Sequence, residues 1–113
     1  MSRNPQKQPF PESFLPLPPP TFHILLALAD GALHGYAIMK GVTARSEGTV
    51  RLGPGTLYGA LMRLERKGWI TTLPAENRRH PYQLTEAGRD VLRQQVATLQ
   101  QIAAVGAVRL ALG

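Results

Sequence analysis

Between Arg51 and Ile70 the chain sets two kinds of side chain on opposite faces of one stretch. Leu57, Leu61 and Leu64 recur at helical spacing, and Thr56, Tyr58, Gly59, Met62, Arg63 and Arg66 fall on the other side. Hydroxyl, phenol and guanidinium groups carried on a helix with an apolar back are groups that bond phosphate oxygens and base edges. Gly55 and Thr56, near the helix start, offer backbone N–H groups and a hydroxyl to phosphate. Tyr58 suits a phosphate or a base edge, or else packs on the preceding helix. Arg63 and Arg66 suit nucleic acid, or else form a solvated surface. A second basic group, Arg78-Arg79-His80, lies in a turn shortly after. Adjacent guanidiniums on an exposed turn suit a minor groove or flanking phosphates. Lys67 and Arg51 are further phosphate candidates.

No comparable pattern supports catalysis. His23, His34 and His80 lack a metal-ligand spacing, and no carboxylate stands suitably near them in sequence. Gly53-Pro54-Gly55-Thr56 lacks the lysine and frame of a phosphate-binding loop. Ser13 and Ser46 have no nucleophile-elbow context. The chain is therefore expected to be no enzyme, with no metal and no cofactor.

Composition points the same way. Among 113 residues, 13 Lys and Arg stand against 7 Asp and Glu, a net charge of +6, which favours a polyanionic partner. No apolar run approaches the roughly 18 residues a membrane span needs. ILLALA follows prolines where a signal peptide would carry a charged segment. The absence of cysteine excludes disulfides and thiolate metal sites and fits a reducing cytoplasm.

These groups need elements to hold them. Residues 1–20 contain seven prolines, a density that predicts an extended, flexible tail, with Phe10, Phe14, Leu15 and Leu17 able to lie along the folded part. Thr21 is the expected N-cap of a first helix reaching Ala29, apolar on more than one stripe. His34-Gly35 turns the chain into a second helix over Tyr36–Arg45, and Val50–Leu52 reads as a short edge strand. Gly41 inside the second helix implies close packing or a bend. The third helix runs from Pro54 to Lys67, with proline in its first turn and Gly68 at its C-terminal cap. Trp69–Leu73 and Tyr82–Leu84 form a hairpin around the basic turn. Trp69 is a core residue or an aromatic wall of an effector pocket between the wing, the first helix and the last.

Thr85 caps a long last helix, from Glu86 to about Leu110. Leu92, Val96, Leu99, Ala103 and Leu110 follow four-three spacing, and Ile102, Val105 and Val108 widen the apolar face. Gln94, Gln95, Gln100 and Gln101 are assigned to the opposite, polar face. A domain of about ninety residues has little core to receive such a face. Homodimerisation through Leu92, Val96, Leu99, Ile102 and Ala103 is the expectation, folding back on the first helix the alternative. The fold class is mainly α with a small β-hairpin wing (α+β): a winged helix-turn-helix with a C-terminal dimerisation helix. Residues 1–20 form the tail, 21–84 the DNA-binding domain and 85–113 the dimerisation helix.

Three segments, ILLALADGALHGYAIMK, LGPGTLYGALMRLERKGWI and Tyr82 through Gly88, resemble the PadR family of bacterial transcription regulators. The likeness extends from Phe22 to about Leu99, with the segments in the family's order and close to its spacing. It implies a winged helix whose last helix pairs two protomers on a near-palindromic double-stranded DNA operator, usually as a repressor. The single last helix resembles the compact branch of the family. By position, Gly55–Arg63 matches the recognition helix and Asn77–Tyr82 the wing. A small aromatic ligand at the dimer interface is a further implied partner. Pro81 departs from the pattern: it removes a ladder donor, and a shortened or twisted second strand is expected.

Two other classes compete. A protein-docking winged helix would carry an acidic or apolar third-helix face, which this chain lacks. A membrane-surface binder would need a basic face opposite the apolar stripe of the last helix, where glutamines stand instead.

Overall fold

The computed structural model describes residues 16–111; most of the expected Pro-rich tail lies outside them. The elements run α1 (Pro19–Ala27), α2 (Gly35–Arg45), α3 (Pro54–Arg66), β1 (Ile70–Thr72), β2 (Tyr82–Leu84) and α4 (Glu86–Arg109). The two strands form one antiparallel hairpin, pairing Ile70 with Leu84 and Thr72 with Tyr82. This is the mainly helical architecture with a β-hairpin wing.

Helix α1 opens at Pro19, inside the stretch whose proline density predicts extended chain, and Thr21 lies within the helix. The first N–H groups of any helix lack intrahelical partners, so two prolines there lose no bond. The first bond, Phe22 N–H to Pro18 O at 3.1 Å, comes after them. Ile24, Leu25, Ala27 and Leu28 are fully buried, which makes α1 the centre of the core. Around it stand Ile38 and Val42 of α2, Leu57, Leu61 and Leu64 of α3, Ile70 and Leu84 of the hairpin, and Val91 and Leu92 of α4. Gly41 meets Ala27 of α1 and Arg45 only at ordinary van der Waals distance, so the packing there does not require a glycine.

Val50–Leu52 is not a strand. Ser46 Oγ accepts the Val50 N–H at 3.0 Å and Thr49 Oγ1 donates to Ser46 O at 2.7 Å, so side chains hold this backbone in a turn. The end of α3 follows its sequence signal. Gly68 adopts φ +81, Trp69 N–H reaches Leu64 O at 3.0 Å and Gly68 N–H reaches Glu65 O at 2.9 Å, the paired closure that a left-handed glycine permits.

Thr85 then joins three elements. Its hydroxyl donates to Gly68 O at 2.6 Å and accepts the Gly88 N–H at 3.0 Å, and its own N–H donates to Trp69 O at 3.1 Å. A side chain on Gly88 would collide with the Trp69 carbonyl. Helix α4 therefore lies directly on backbone, and Arg89 ties it to the turn after α1 through Ala29 O at 3.2 Å.

The last helix divides into two functional lengths. Leu92, expected at a dimer seam, is buried in the protomer's own core, as is Val91. Gln95, assigned from spacing to the polar face, is also buried: its Oε1 accepts the Leu17 N–H at 2.8 Å and secures the chain entering α1. Two turns of α4 thus pack on α1. Beyond them Val96, Leu99, Ile102, Ala103, Val105 and Val108 are exposed along a helix that would span about 36 Å.

Replacing Gly88 with Ala should lower stability by about 1–3 kcal/mol, because backbone must shift to admit the methyl group. Gly41→Ala should leave stability unchanged or raise it by up to about 1 kcal/mol. Denaturant unfolding of the two variants beside the parent checks both.

Candidate nucleic-acid interface

Helix α3 buries Leu57, Ala60, Leu61 and Leu64. At about 100° per residue, Gly55, Gly59, Met62 and Arg66 occupy the middle of its outward face, with Tyr58 on one flank and Thr56 and Arg63 on the other. Gly55 has open space around it, and at Gly59 the nearest neighbour is the guanidinium of Arg63, folded back along the helix. One turn beyond Gly59, Met62 projects with 58% of its surface exposed. A face of this kind lets the helix axis come close to a partner while a few long side chains reach further.

The wing is built on a second constraint. Residues Glu76 and Arg79 exchange two backbone hydrogen bonds, at 2.7 and 2.9 Å, and Asn77 and Arg78 between them adopt φ +51 and +67. These values make a type I′ turn, whose two central residues both need positive φ and whose second is usually glycine. Arginine at that position is strained by about 1–2 kcal/mol relative to its ordinary conformations. The strain leaves the Arg78 side chain projecting at the tip.

Strand β2 is held on both sides. Tyr82 exchanges hydrogen bonds with Leu33, at 2.8 and 3.0 Å, so the residue just ahead of α2 serves as a short third strand. That bridge brings the start of α2 beside the wing. A groove of about 590 Å³ opens between them, lined by His34, Gly35 and Tyr36 of the α2 entrance, Tyr58 of α3, Tyr82, and Arg78, Arg79 and His80. Among the described residues no carboxylate lines it. The Tyr58 phenol rests on Gly35, where any side chain would collide with it, yet 46% of the residue stays exposed. Tyr58 therefore packs on α2 at one edge and keeps an open face at the other. Burial, then the neighbouring Tyr58 and Glu65, pushes the Tyr82 phenol above its usual range, so it stays a neutral hydrogen-bonding group near pH 7.

The expected site residues thus separate into groups. Tyr58, Arg78, Arg79 and His80 share the groove. Gly55, Thr56 and Gly59 stay on the outer surface of α3. Arg63 stands on the other flank, beside a second cavity of about 460 Å³ with Lys67, Trp69, Ala60, Leu17 and Val91 on its walls. There Trp69 does two things. One part packs on the core, and Lys67 Nζ sits 5.0 Å from the ring centre. The cavity runs between α1, α3 and α4, and the wing takes no part in it. His34 and Tyr36, the latter with Lys40 Nζ 5.5 Å over its ring, are the functional candidates the residue patterns did not single out. Their signal was the His34-Gly35-Tyr36 run, which reads locally only as a turn into α2.

With this geometry the chain can be compared with known proteins. The transcriptional regulator PadR-like family profile matches residues 24–94. An uncharacterised 37.1 kDa protein in transposon TN4556 of Streptomyces fradiae is 46% identical over 79 residues, which is 70% of this chain and 22% of that protein. The chain thus spans about a fifth of that relative's length. A PadR family transcription regulator from Clostridium difficile R20291 superposes with a TM-score of 0.68 at 28% identity, covering 83% of this chain and 98% of that one. A transcriptional regulator from Clostridium thermocellum gives 0.66 at 29% identity, over 75% of this chain and 86% of that one. Bacillus subtilis PadR, solved in complex with operator DNA, shares the fold at TM-score 0.60 and 24% identity, over 67% of this chain and 45% of that one.

Arg78→Gly should raise stability by about 1 kcal/mol, since glycine takes the positive φ without strain. Thermal unfolding of the variant checks this, and an unchanged or lower midpoint would show that the turn is not strained by Arg78.

Proposed function

The chain belongs to the PadR-like family of transcriptional regulators, and on that premise we propose that it is a dimeric, sequence-specific DNA-binding regulator of the cytoplasm, acting as a repressor. One observation carries the reading. The outward face of α3 and the Arg78-Arg79 wing tip are both exposed, and between the wing and the α2 entrance lies a groove that no carboxylate lines among the described residues. Helix α3 would enter the major groove through Gly55, Thr56, Gly59, Met62 and Arg66, with Tyr58 and Arg63 at its flanks. The wing would grip the neighbouring backbone or minor groove with Arg78, Arg79 and His80.

Dimerisation completes the proposal. Residues 21–84, with the two prolines ahead of them, form the DNA-binding unit, and the part from 85 onward pairs the protomers. Val96, Leu99, Ile102 and Ala103 carry the contact, with Val105 and Val108 extending it; Leu92 contributes from beneath, as a core residue. The exposure of Ile102 at 52% and Val108 at 80% supports this, because apolar side chains in a row along one helix gain by being covered. A pair of recognition helices about one DNA turn apart (roughly 34 Å) would then read a near-palindromic operator. The cavity beside Trp69 is within the size range of small-ligand sites, about 300–1,000 Å³. A planar aromatic effector seated there, between α3 and α4, would alter the angle between recognition helix and dimer and release the DNA.

The deciding experiment titrates the protein against the DNA upstream of its own gene and against scrambled DNA, at two salt concentrations. Tight binding to the upstream DNA alone is expected. Equal, weak binding that disappears with salt would overturn sequence-specific recognition and favour a protein-docking role. Arg78→Ala with Arg79→Ala should weaken binding to all sequences and reduce the salt slope by up to about two charges per protomer. An unchanged slope would remove the wing from the interface. Leu99→Glu with Ile102→Glu should convert the dimer to a folded monomer, read by sedimentation velocity and circular dichroism, and a persistent dimer would exclude this face.

A further inference from the structure

Proline at position 81 has a consequence for the side chain before it. The hairpin register that pairs Thr72 with Tyr82 puts Leu73 opposite Pro81. In that pair Leu73 N–H donates to Pro81 O at 2.8 Å, and the return bond to Leu73 O is impossible because proline has no N–H. The Nδ1 of His80 lies 3.1 Å from Leu73 O instead. A carbonyl oxygen can only accept, so the imidazole proton must sit on Nδ1. Neutral His80 therefore keeps a bare lone pair on Nε2, on the ring edge turned away from Leu73. His80 lines the groove together with Arg78, Arg79 and His34, and the Nδ1 of His34 is buried without a hydrogen-bond partner.

We propose that the groove between the α2 entrance and the wing seats one phosphate of the DNA backbone, and that His80 is its proton-linked ligand. The inference rests on the DNA-binding reading above. A phosphate oxygen is an acceptor, so it repels the Nε2 lone pair of neutral His80 and attracts the N–H of the protonated ring. Proton uptake at Nε2 leaves the Nδ1–H bond to Leu73 in place, so the ring charges without leaving its position. The groups around it do not substitute for this response. The wing adds the guanidiniums of Arg78 and Arg79, Tyr36 and Tyr58 line the groove beside them, and burial pushes the Tyr82 phenol above its usual range. His34 is the other titratable base in the groove. Glu65, held by the Thr72 hydroxyl at 2.7 Å, and Glu76, beside the turn, do not line it. The sign follows: a ring protonated more readily in the complex than in the free protein makes binding tighter as pH falls.

Two measurements on the full chain test this with a short mixed-sequence duplex, since a backbone phosphate contact is independent of sequence. Nitrogen-15 NMR of the histidine rings at pH 8 should give the Nδ1–H tautomer for His80, and adding duplex should move its titration to higher pH. Affinity for the duplex should rise about fivefold from pH 8 to pH 6. His80→Asn, whose amide can donate to Leu73 O without titrating, should lose most of that gain. An Nε2–H tautomer, or a titration unmoved by bound duplex, would overturn the proposal even if the variant failed to fold. So would a variant that folds and keeps the full pH dependence. Inorganic phosphate shifting His80 as far as duplex does would replace the backbone contact with a free-anion site. Absence of any duplex binding would overturn the DNA-binding reading itself, and this inference with it.

Discussion

The arrangement depends on one junction, where the backbone at Gly68 and Trp69 meets the start of α4. Glycine at 68 lets α3 stop in a left-handed turn, and the two carbonyls thus presented are taken by Thr85 through its hydroxyl and its N–H. The same hydroxyl caps α4 at Gly88, and the missing side chain at 88 lets that helix rest on the Trp69 carbonyl. The end of α3, the root of the hairpin and the direction of α4 are thereby set together. A change of angle between α3 and α4 must pass through this contact. The cavity beside Trp69 lies next to it, with walls from both helices, so a molecule bound there would press on the joint between α3 and α4.

A second set of contacts brings α2 into the same surface. The two hydrogen bonds between Leu33 and Tyr82 carry the α2 entrance to the hairpin, and Gly35 leaves room for the Tyr58 phenol to lie over it. Three separated segments consequently line one groove. The wing tip adds a local strain, with Arg78 in a conformation that glycine would adopt more easily. Strain of that sort persists where the side chain has a use, and here the side chain is a guanidinium at the outermost point of a basic turn.

Helix α4 changes its surroundings along its length. Its first turns complete the protomer core through Val91 and Leu92, and Gln95 closes this part by bonding the chain that leads into α1. Past that residue, described α1 side chains no longer cover it, and its apolar side chains are exposed. The heptad spacing is continuous across the division, which is why Leu92 and Val96 look equivalent along the sequence although only Leu92 is buried in the core.

Several features were legible in the residues alone because the physics behind them is local. The leucine periodicity identified the buried face of α3, and Gly68 and Thr85 marked a helix end and a helix start by cap chemistry that involves neighbours within a few positions. The basic turn and the exposed outward face of α3 followed from the same short-range reading, as did the hairpin around Pro81. Long-range pairings were not legible. Nothing near Leu33 announces that it will pair with Tyr82, so His34 and Tyr36 could not be grouped with the wing. Gln95 reads as surface by its polarity, and the approach of Leu17, 78 positions away, gives it a buried partner. Proline in the first turn of α1 was misread because composition counts prolines without regard to where a helix begins. By itself, then, the sequence determined the elements, their caps and the basic character of the exposed faces, since backbone hydrogen bonding and side-chain periodicity act over one or two turns. The tertiary structure alone decided which side chains share a groove, which apolar residues of α4 remain exposed and which carbonyl the His80 ring meets, because each depends on partners that the chain brings together only by folding.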